Sequence, residues 1–327
     1  MIQFHQQKQK ILIFLEKKKK SLSEPIWDLL ERGGKRWRPI LCILIAEAFG
    51  KQLDDIKEIC SLCEIVHNGS LIVDDIEDNS LVRRNKECIH LIYGVDISLN
   101  AGNFMYFAPF QKLLTSLRYT DKQKLEFAKI YAEEMTLLHV GQGWDILWHN
   151  MNKLQGRFPD NNQYLQMTSH KTGCLARLSS RLVCAYLGLN HDQSKALSTF
   201  AEKIGVAFQI QDDILNLEGK EYLKTKGQLG EDIHEGKMSL IVIHCLAQSS
   251  QENKKRLIEI LRMHTNDQDL INEAIQIVKS TDSINYSRQV GAQLVKTAWE
   301  EVENIIPEGK PKQLLKLLAE HNIERQV

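Results

Sequence analysis

The 327-residue sequence predicts an all-α protein, a single large helical bundle in one domain over residues 1–327. Three observations carry that expectation. Apolar residues recur at helical spacing: Phe127, Tyr131, Met135 and Leu138 are four, four and three apart, and Phe200, Ile204, Phe208 and Leu215, with the polar Gln211 in line among them, form a second such stripe. Alternating apolar–polar runs bounded by hairpin signals are absent. The six prolines, at 25, 39, 109, 159, 307 and 311, sit near expected helix starts or breaks. No repeat, low-complexity linker or shift in composition marks an internal boundary.

Hydrophobic residues make up 43% of the chain, enough for a sizeable core, and 42 basic residues balance 42 acidic ones. A nucleic-acid binder is expected to show a basic surplus, so that class is set aside. The seven cysteines include one Cys60–Cys63 pair, with no second pair or histidine pair to complete a zinc set. They read as buried thiols in a reducing, cytoplasmic setting. At the N-terminus the apolar run from Ile11 to Leu15 is too short for a secretory signal and is followed by Lys17 to Lys20. The apolar runs elsewhere fall short of the ~18 residues that a membrane span needs. Loops are expected at 33–34, 83–87, 152–162, 219–236 and 281–283, the fourth being long, polar and of the kind that forms a lid.

Along the chain, the first chemically loaded stretch runs from His67 to Asp78, HNGSLIVDDIED, with Arg83 and Arg84 close behind. On a helix Asp74 and Asp78 lie one turn apart on one face, with Asp75 beside them. Like charges at that spacing repel, and a divalent cation relieves the repulsion. Carboxylates with no His or Cys among them suit Mg2+, which completes its shell with water and substrate phosphate. The alternative is a solvated acidic helix end. A second face, FQIQDDILN, repeats the chemistry: Gln209, Asp213 and Asn216 share one side of an apolar helix and Asp212 flanks it. Paired carboxylates on a buried helix are costly unless neutralised. Two such faces could clamp a polyphosphate through bound metal. Cations stand ready as complement: Lys35 and Arg38 in GGKRWRP, Arg83, Arg84, Lys171, Lys226 and Lys237.

In this order GGKRWRP, HNGSLIVDDIEDNS, RR, KTG, FQIQDD and GEDIHEGK resemble the signature of the trans-isoprenyl diphosphate synthases, and within them the geranylgeranyl subset. The resemblance is strong from Gly33 to Ser239. It implies the isoprenoid synthase fold, an all-α bundle with a central cavity, usually a homodimer. It implies a Mg2+-dependent prenyltransferase joining isopentenyl diphosphate to an allylic diphosphate. Asp74, Asp75, Asp78, Asp212 and Asp213 would hold about three Mg2+ ions on the allylic diphosphate. Arg83, Lys171, Thr172, Gln209, Lys226 and Lys237 would contact that diphosphate, while Lys35, Arg38, His67 and Arg84 would bind isopentenyl diphosphate. Gln142 and Asp145 would support the Lys171 region. Asn216 stands where many relatives have a third Asp, as in the geranylgeranyl subset. The C-terminal basic contact of the family has only Arg325 as a candidate.

The growing tail would leave along the stretch before Asp74, where Gly69 and Ser70 are small and should leave the passage open. Tyr106, Phe107 and His139 match the floor residues of the geranylgeranyl subset; the plainer reading of the two aromatics is core packing. The competing functions are a synthase of other chain length, a terpene cyclase, which would not need the isopentenyl cations, and a non-catalytic synthase subunit, which would be expected to lose an acidic motif.

Overall fold

Leu22, Ile26 and Leu29 recur four and three apart, and they form the buried stripe of the first helix, α1 (Lys20–Glu31). The structure is a computed structural model describing residues 20–149, 157–219 and 229–324. Among these residues it is helical almost throughout, as expected. The chain divides into two compact units, Met1–Arg36 with Ser61–Thr115, and Trp37–Cys60 with Ser116–Val327.

In the first unit α1 is followed, after the boundary-crossing helix α3 (Leu53–Glu77), by a short hairpin, α4 (Ile89–Tyr93) and α5 (Val95–Leu114). The hairpin pairs β1 (Val82–Arg83) with β2 (Lys86–Glu87) antiparallel, with Val82 opposite Glu87 and Arg83 opposite Lys86. Two-residue strands are too short to show a period, which is why the sequence reads as a loop there. Ile72, Ile89, Ala101 and Met105 close the core over the α1 stripe. Burying one such Leu or Ile is worth about 1.5–3 kcal/mol.

The second unit holds α2 (Trp37–Ala48), the start of α3, and then α6 (Asp121–His149), α7 (Asn161–Thr168), α8 (Cys174–Leu187) and α9 (His191–Glu218). After the short α10 (Glu231–Glu235) follow α11 (Leu240–Gln248), α12 (Gln251–Met263), α13 (Gln268–Lys279), α14 (Ser283–Val302) and α15 (Lys310–Glu324). The central α9 starts on a capping box, in which Asn190 accepts from the Gln193 amide and the Gln193 side chain accepts in return. It packs against α8 and α14, and Phe200, Ile204 and Leu215 of the predicted stripe are buried. α7 has the same device at Asp160 and Gln163. Between α7 and α8 the chain takes one π-turn, Ser169–Gly173. Such turns interrupt the regular ladder and are frequent at functional sites.

Pro39, Pro159, Pro307 and Pro311 lie at helix starts or just outside helices, but Pro25 and Pro109 lie inside α1 and α5. At these two positions packing outweighs the lost backbone hydrogen bond. All seven cysteines are free and buried. No helix among the described residues is long and apolar enough to cross a membrane.

Candidate active site

In the first unit the site is built on the end of α3. Asp74 and Asp75 occupy its last turn, and Asp78 follows it, its amide donating to the Asp74 carbonyl at 2.9 Å. A helix C-terminus carries partial negative charge, so carboxylates there are doubly disfavoured. Arg83 offsets part of this: Nε and Nη2 both donate to Asp75 Oδ1, at 2.7 and 2.5 Å, and Nη2 lies 3.6 Å from Asp74 Oδ2. Asp75 is 1% exposed, and burial still pushes its carboxyl above the usual range despite Arg83. Its Oδ2 is buried without a hydrogen-bond partner, and the Cys88 thiol is a weak donor to the carboxyl as a whole. That oxygen faces a deficit of positive charge.

Arg84 lies at the other side of the hairpin. Its Nη1 donates to the Leu29 carbonyl at 3.2 Å, at the C-terminal end of α1, and Arg36 Nη2 donates to Leu30 O at 3.2 Å. Both carbonyls belong to the last turn of α1, where the partial negative charge of a helix end favours cations, and Leu29 O also accepts from the Arg32 amide at 3.3 Å. Gly34 has φ +132°, and a Cβ there would come within 2.9 Å of Arg84 Nη2, so glycine admits the guanidinium. Burial draws the pKa of Arg84 down, and the buried Glu64 opposes it. Lys35 is exposed on the loop between α1 and α2, and His67 is half-buried on α3. Arg38 belongs to the second unit, buried on α2 with its guanidinium 4.6 Å from the Trp37 ring centre.

The expected product-length residues separate. Ser70 is half-buried, its hydroxyl donating to the His67 carbonyl at 2.8 Å. Gly69 does not border open space: a Cβ there would lie 2.8 Å from Met105 Cβ and 2.9 Å from Gly102 O. It is a close crossing of α3 and α5, made by Gly69 and Gly102 together, and this corrects the reading of Gly69 as part of a passage. Tyr106 is buried against that crossing, and burial together with Glu77 and Asp74 holds its phenol protonated. Phe107 is 68% exposed, which excludes core packing within its own chain. His139 is exposed on α6, with Nδ1 2.7 Å from the Met135 carbonyl.

In the second unit Lys171 and Thr172 ride on the π-turn. Lys171 Nζ donates to Asp145 Oδ2 at 2.5 Å. Burial alone would raise the Asp145 carboxyl, but Lys171 and His149 hold it well below the usual range. The expected support of Lys171 by Asp145 is therefore direct; Gln142 is half-buried one turn earlier on α6. A hydrogen-bond chain joins the turn to the second acidic face: Thr172 Oγ1 to Gln209 Oε1 at 3.2 Å, and Gln209 Nε2 to Asp213 Oδ1 at 2.9 Å. Tyr164 then donates to Asp213 Oδ2 at 2.7 Å. Burial pushes Asp213 up to about 6.

Asp232, in α10, is pushed up to about 8 by burial and by its acidic neighbours Asp213, Glu235 and Glu231, with Lys237 opposing. Lys237 Nζ lies 3.2 Å from Asp232 Oδ1 and 2.5 Å from Glu235 Oε2. Asn216 is buried, its Oδ1 accepting from the Asp232 amide at 3.1 Å, so this residue braces the α10 loop. Lys226 and Arg325 lie outside the described residues. Sequence reasoning missed Tyr164, Asp232 and Arg32. Asp232 had a visible signal, an acidic residue in the same motif as Lys237; the other two had none.

No three acidic, imidazole or thiol groups among the described residues are assembled into a ready metal site. Mg2+ needs no such cage, since it takes one or two carboxylates and fills its shell with water and phosphate. The orphaned oxygen of Asp75 and the raised carboxyls of Asp213 and Asp232, which Lys237 offsets only in part, are the chemistry that a hard divalent cation satisfies.

Residues 19–278 match the family model for polyprenyl synthetases. The geranylgeranyl pyrophosphate synthase of Dictyostelium discoideum is 35% identical over 279 residues, 84% of this chain and 85% of that one. Geranylgeranyl pyrophosphate synthase D of Phomopsis amygdali is 32% identical over 290 residues, which span 89% of this chain but 65% of that longer protein. The crystal structure of geranylgeranyl pyrophosphate synthetase from Pyrococcus horikoshii Ot3 superposes with a TM-score of 0.86 at 29% identity, covering 97% of this chain and 94% of that one. The acidic helix end, the lysine-bearing π-turn and these likenesses lead to one statement: the chain belongs to the polyprenyl synthetase family, with the all-α fold of its enzymes.

Proposed function

We propose that the chain condenses isopentenyl diphosphate with an allylic diphosphate and releases geranylgeranyl diphosphate. The observation that carries this is the set of buried, under-neutralised carboxylates at Asp75 and Asp213, each placed beside cations that suit diphosphate oxygens. Residues 1–327 act as a single catalytic domain. Asp74, Asp75, Asp78, Asp212 and Asp213 hold the metal, about three ions in all. When bound, Mg2+ neutralises the charge that gathers on a departing diphosphate.

Lys171 and Lys237, with Thr172, Gln209, Arg83 and Lys226, take the allylic diphosphate. Lys35, Arg38, His67 and Arg84 hold isopentenyl diphosphate close and aligned. The allylic carbon–oxygen bond breaks with its electron pair leaving on diphosphate. The isopentenyl double bond attacks the allylic carbon, and the released diphosphate removes the proton that restores an alkene.

Tyr106, Phe107 and His139 set product length. The exposure of Phe107 and His139 on an isolated chain supports a homodimer in which a second copy covers them. Seven free, buried thiols support residence in the cytoplasm. The test is an assay of farnesyl diphosphate with labelled isopentenyl diphosphate, its products separated by chain length. The expected outcome is a Mg2+-dependent geranylgeranyl product that falls by ~10² or more in Asp74→Ala. Full turnover in that variant overturns the metal assignment, and hydrocarbon from geranylgeranyl diphosphate alone would make the chain a cyclase.

A further inference from the structure

The β1–β2 hairpin sends two consecutive arginines to different places. Arg83, the last residue of β1, reaches Asp75 at the end of α3, while Arg84, the first residue of the turn, reaches the Leu29 carbonyl and the surface of Gly34. The turn between the strands puts Arg84 at φ 54° and Asn85 at φ 61°. Non-glycine residues hold such conformations where the surroundings impose them. Two residue pairs make a marginal ladder, so the hairpin cannot impose them alone.

Arg32 is the outside constraint. Its side chain is fully buried just past α1. Nη1 donates to the Arg83 carbonyl at 3.1 Å, on one strand, and to the Glu87 carbonyl at 2.7 Å, on the other. Nε donates to Asp28 Oδ1 at 2.8 Å, and the Tyr93 hydroxyl donates to Asp28 Oδ2 at 3.3 Å. One planar guanidinium thus fastens both strands to α1. The rigid fork is what allows this, since an ammonium is a single point of charge.

We propose that Arg32 is a positioning residue for the reaction: it fixes the hairpin so that Arg83 and Arg84 are each delivered to their own diphosphate. The inference rests on the substrate assignment of those two arginines made above. It follows that one buried residue touching neither substrate governs the binding of both.

The test compares Arg32→Lys, Arg32→Ala and Asp28→Asn with Arg83→Gln and Arg84→Gln. Each is measured for kcat, for KM of both diphosphates, for calorimetric affinity toward inorganic pyrophosphate with Mg2+, and for thermal unfolding. Arg32→Lys is expected to raise both KM values about tenfold with a smaller change in kcat, at a near-parental unfolding temperature. Asp28→Asn should give the same pattern more weakly. Millimolar guanidinium should restore pyrophosphate affinity to Arg32→Ala and leave the parent unchanged. If Arg83→Gln and Arg84→Gln raise KM while Arg32→Lys and Asp28→Asn do not, the positioning role is overturned. If neither Arg83→Gln nor Arg84→Gln alters KM, the substrate assignment itself fails. Should Arg32→Ala not fold, Arg32→Lys and Asp28→Asn decide.

Discussion

Asp213 shows what a single residue's surroundings add to its position in the sequence. Spacing alone put it on a face with Gln209, and the structure joins the two at 2.9 Å. The second partner, Tyr164, comes from another helix, and no spacing rule reports a hydrogen bond between helices. Removing it in Tyr164→Phe leaves a buried carboxylate oxygen unsatisfied and should cost about 1–3 kcal/mol, read by denaturant unfolding. Asp213 and the neighbouring Asp232 are raised to about 6 and about 8 from an ordinary 3.8. The folded chain therefore holds protons that the unfolded chain releases. Their stabilising contribution is complete below about pH 4 and is lost as pH rises through about 6 and about 8. Asp145 is shifted the other way, so its contribution changes only in acid and leaves this window clear. Calorimetric unfolding temperatures of metal-free protein are expected to fall across the window, and Mg2+ with pyrophosphate should flatten the slope. A rise with pH would contradict the burial argument.

Among the elements, the long helices were legible because a buried stripe repeats every 3.6 residues. The π-turn was not, since one extra residue in a ladder leaves no periodic mark. Its placement depends on glycines on either side. A Cβ on Gly141 of α6 would lie 2.4 Å from the Lys171 amide nitrogen, and a Cβ on Gly205 of α9 would lie 3.0 Å from Gly173 Cα. The turn is pressed between two helix backbones. Gly143, two residues on from Gly141, has nothing within 4 Å of the same added atom. The pair makes a matched experiment. Gly141→Ala should lose about 1–3 kcal/mol or more by overpacking and weaken pyrophosphate binding through Lys171. Gly143→Ala should gain up to about 1 kcal/mol from helix propensity and bind normally. Equal effects in both would mean that the turn moves freely.

At the scale of the molecule, the all-α class followed from the helical period and the lack of alternating runs, and the motif order pointed to the family. The division into two compact units was illegible because neither composition nor charge shifts at Cys60 or Thr115. The exposed apolar positions were illegible for a related reason: a stripe facing a partner obeys the same period as one facing the core. Val95, Leu99 and Phe107, spaced four and eight along α5, are 53%, 40% and 68% exposed. In the homodimer proposed above, this stripe is the surface that a second copy would cover. Phe107→Asp is expected to shift light-scattering mass from dimer to monomer and to broaden the product distribution. A parental mass in that variant would place the contact elsewhere.

The crossing of α3 and α5 has a consequence for how such an enzyme can diverge. Gly69 and Gly102 leave no volume for a single added methyl group, because Met105 Cβ, a Val73 methyl and each other's carbonyls stand where it would go. Ser70, next to Gly69, is half-buried and tied only to its own helix through the His67 carbonyl. Adjacent codons therefore differ in what drift can do with them. Substitution at 69 would drive two helices apart, while substitution at 70 can lengthen or shorten a side chain in place. If product length changes along a lineage through this stretch, the step passes through position 70, and libraries that seek new chain lengths should vary that codon and hold its neighbour fixed.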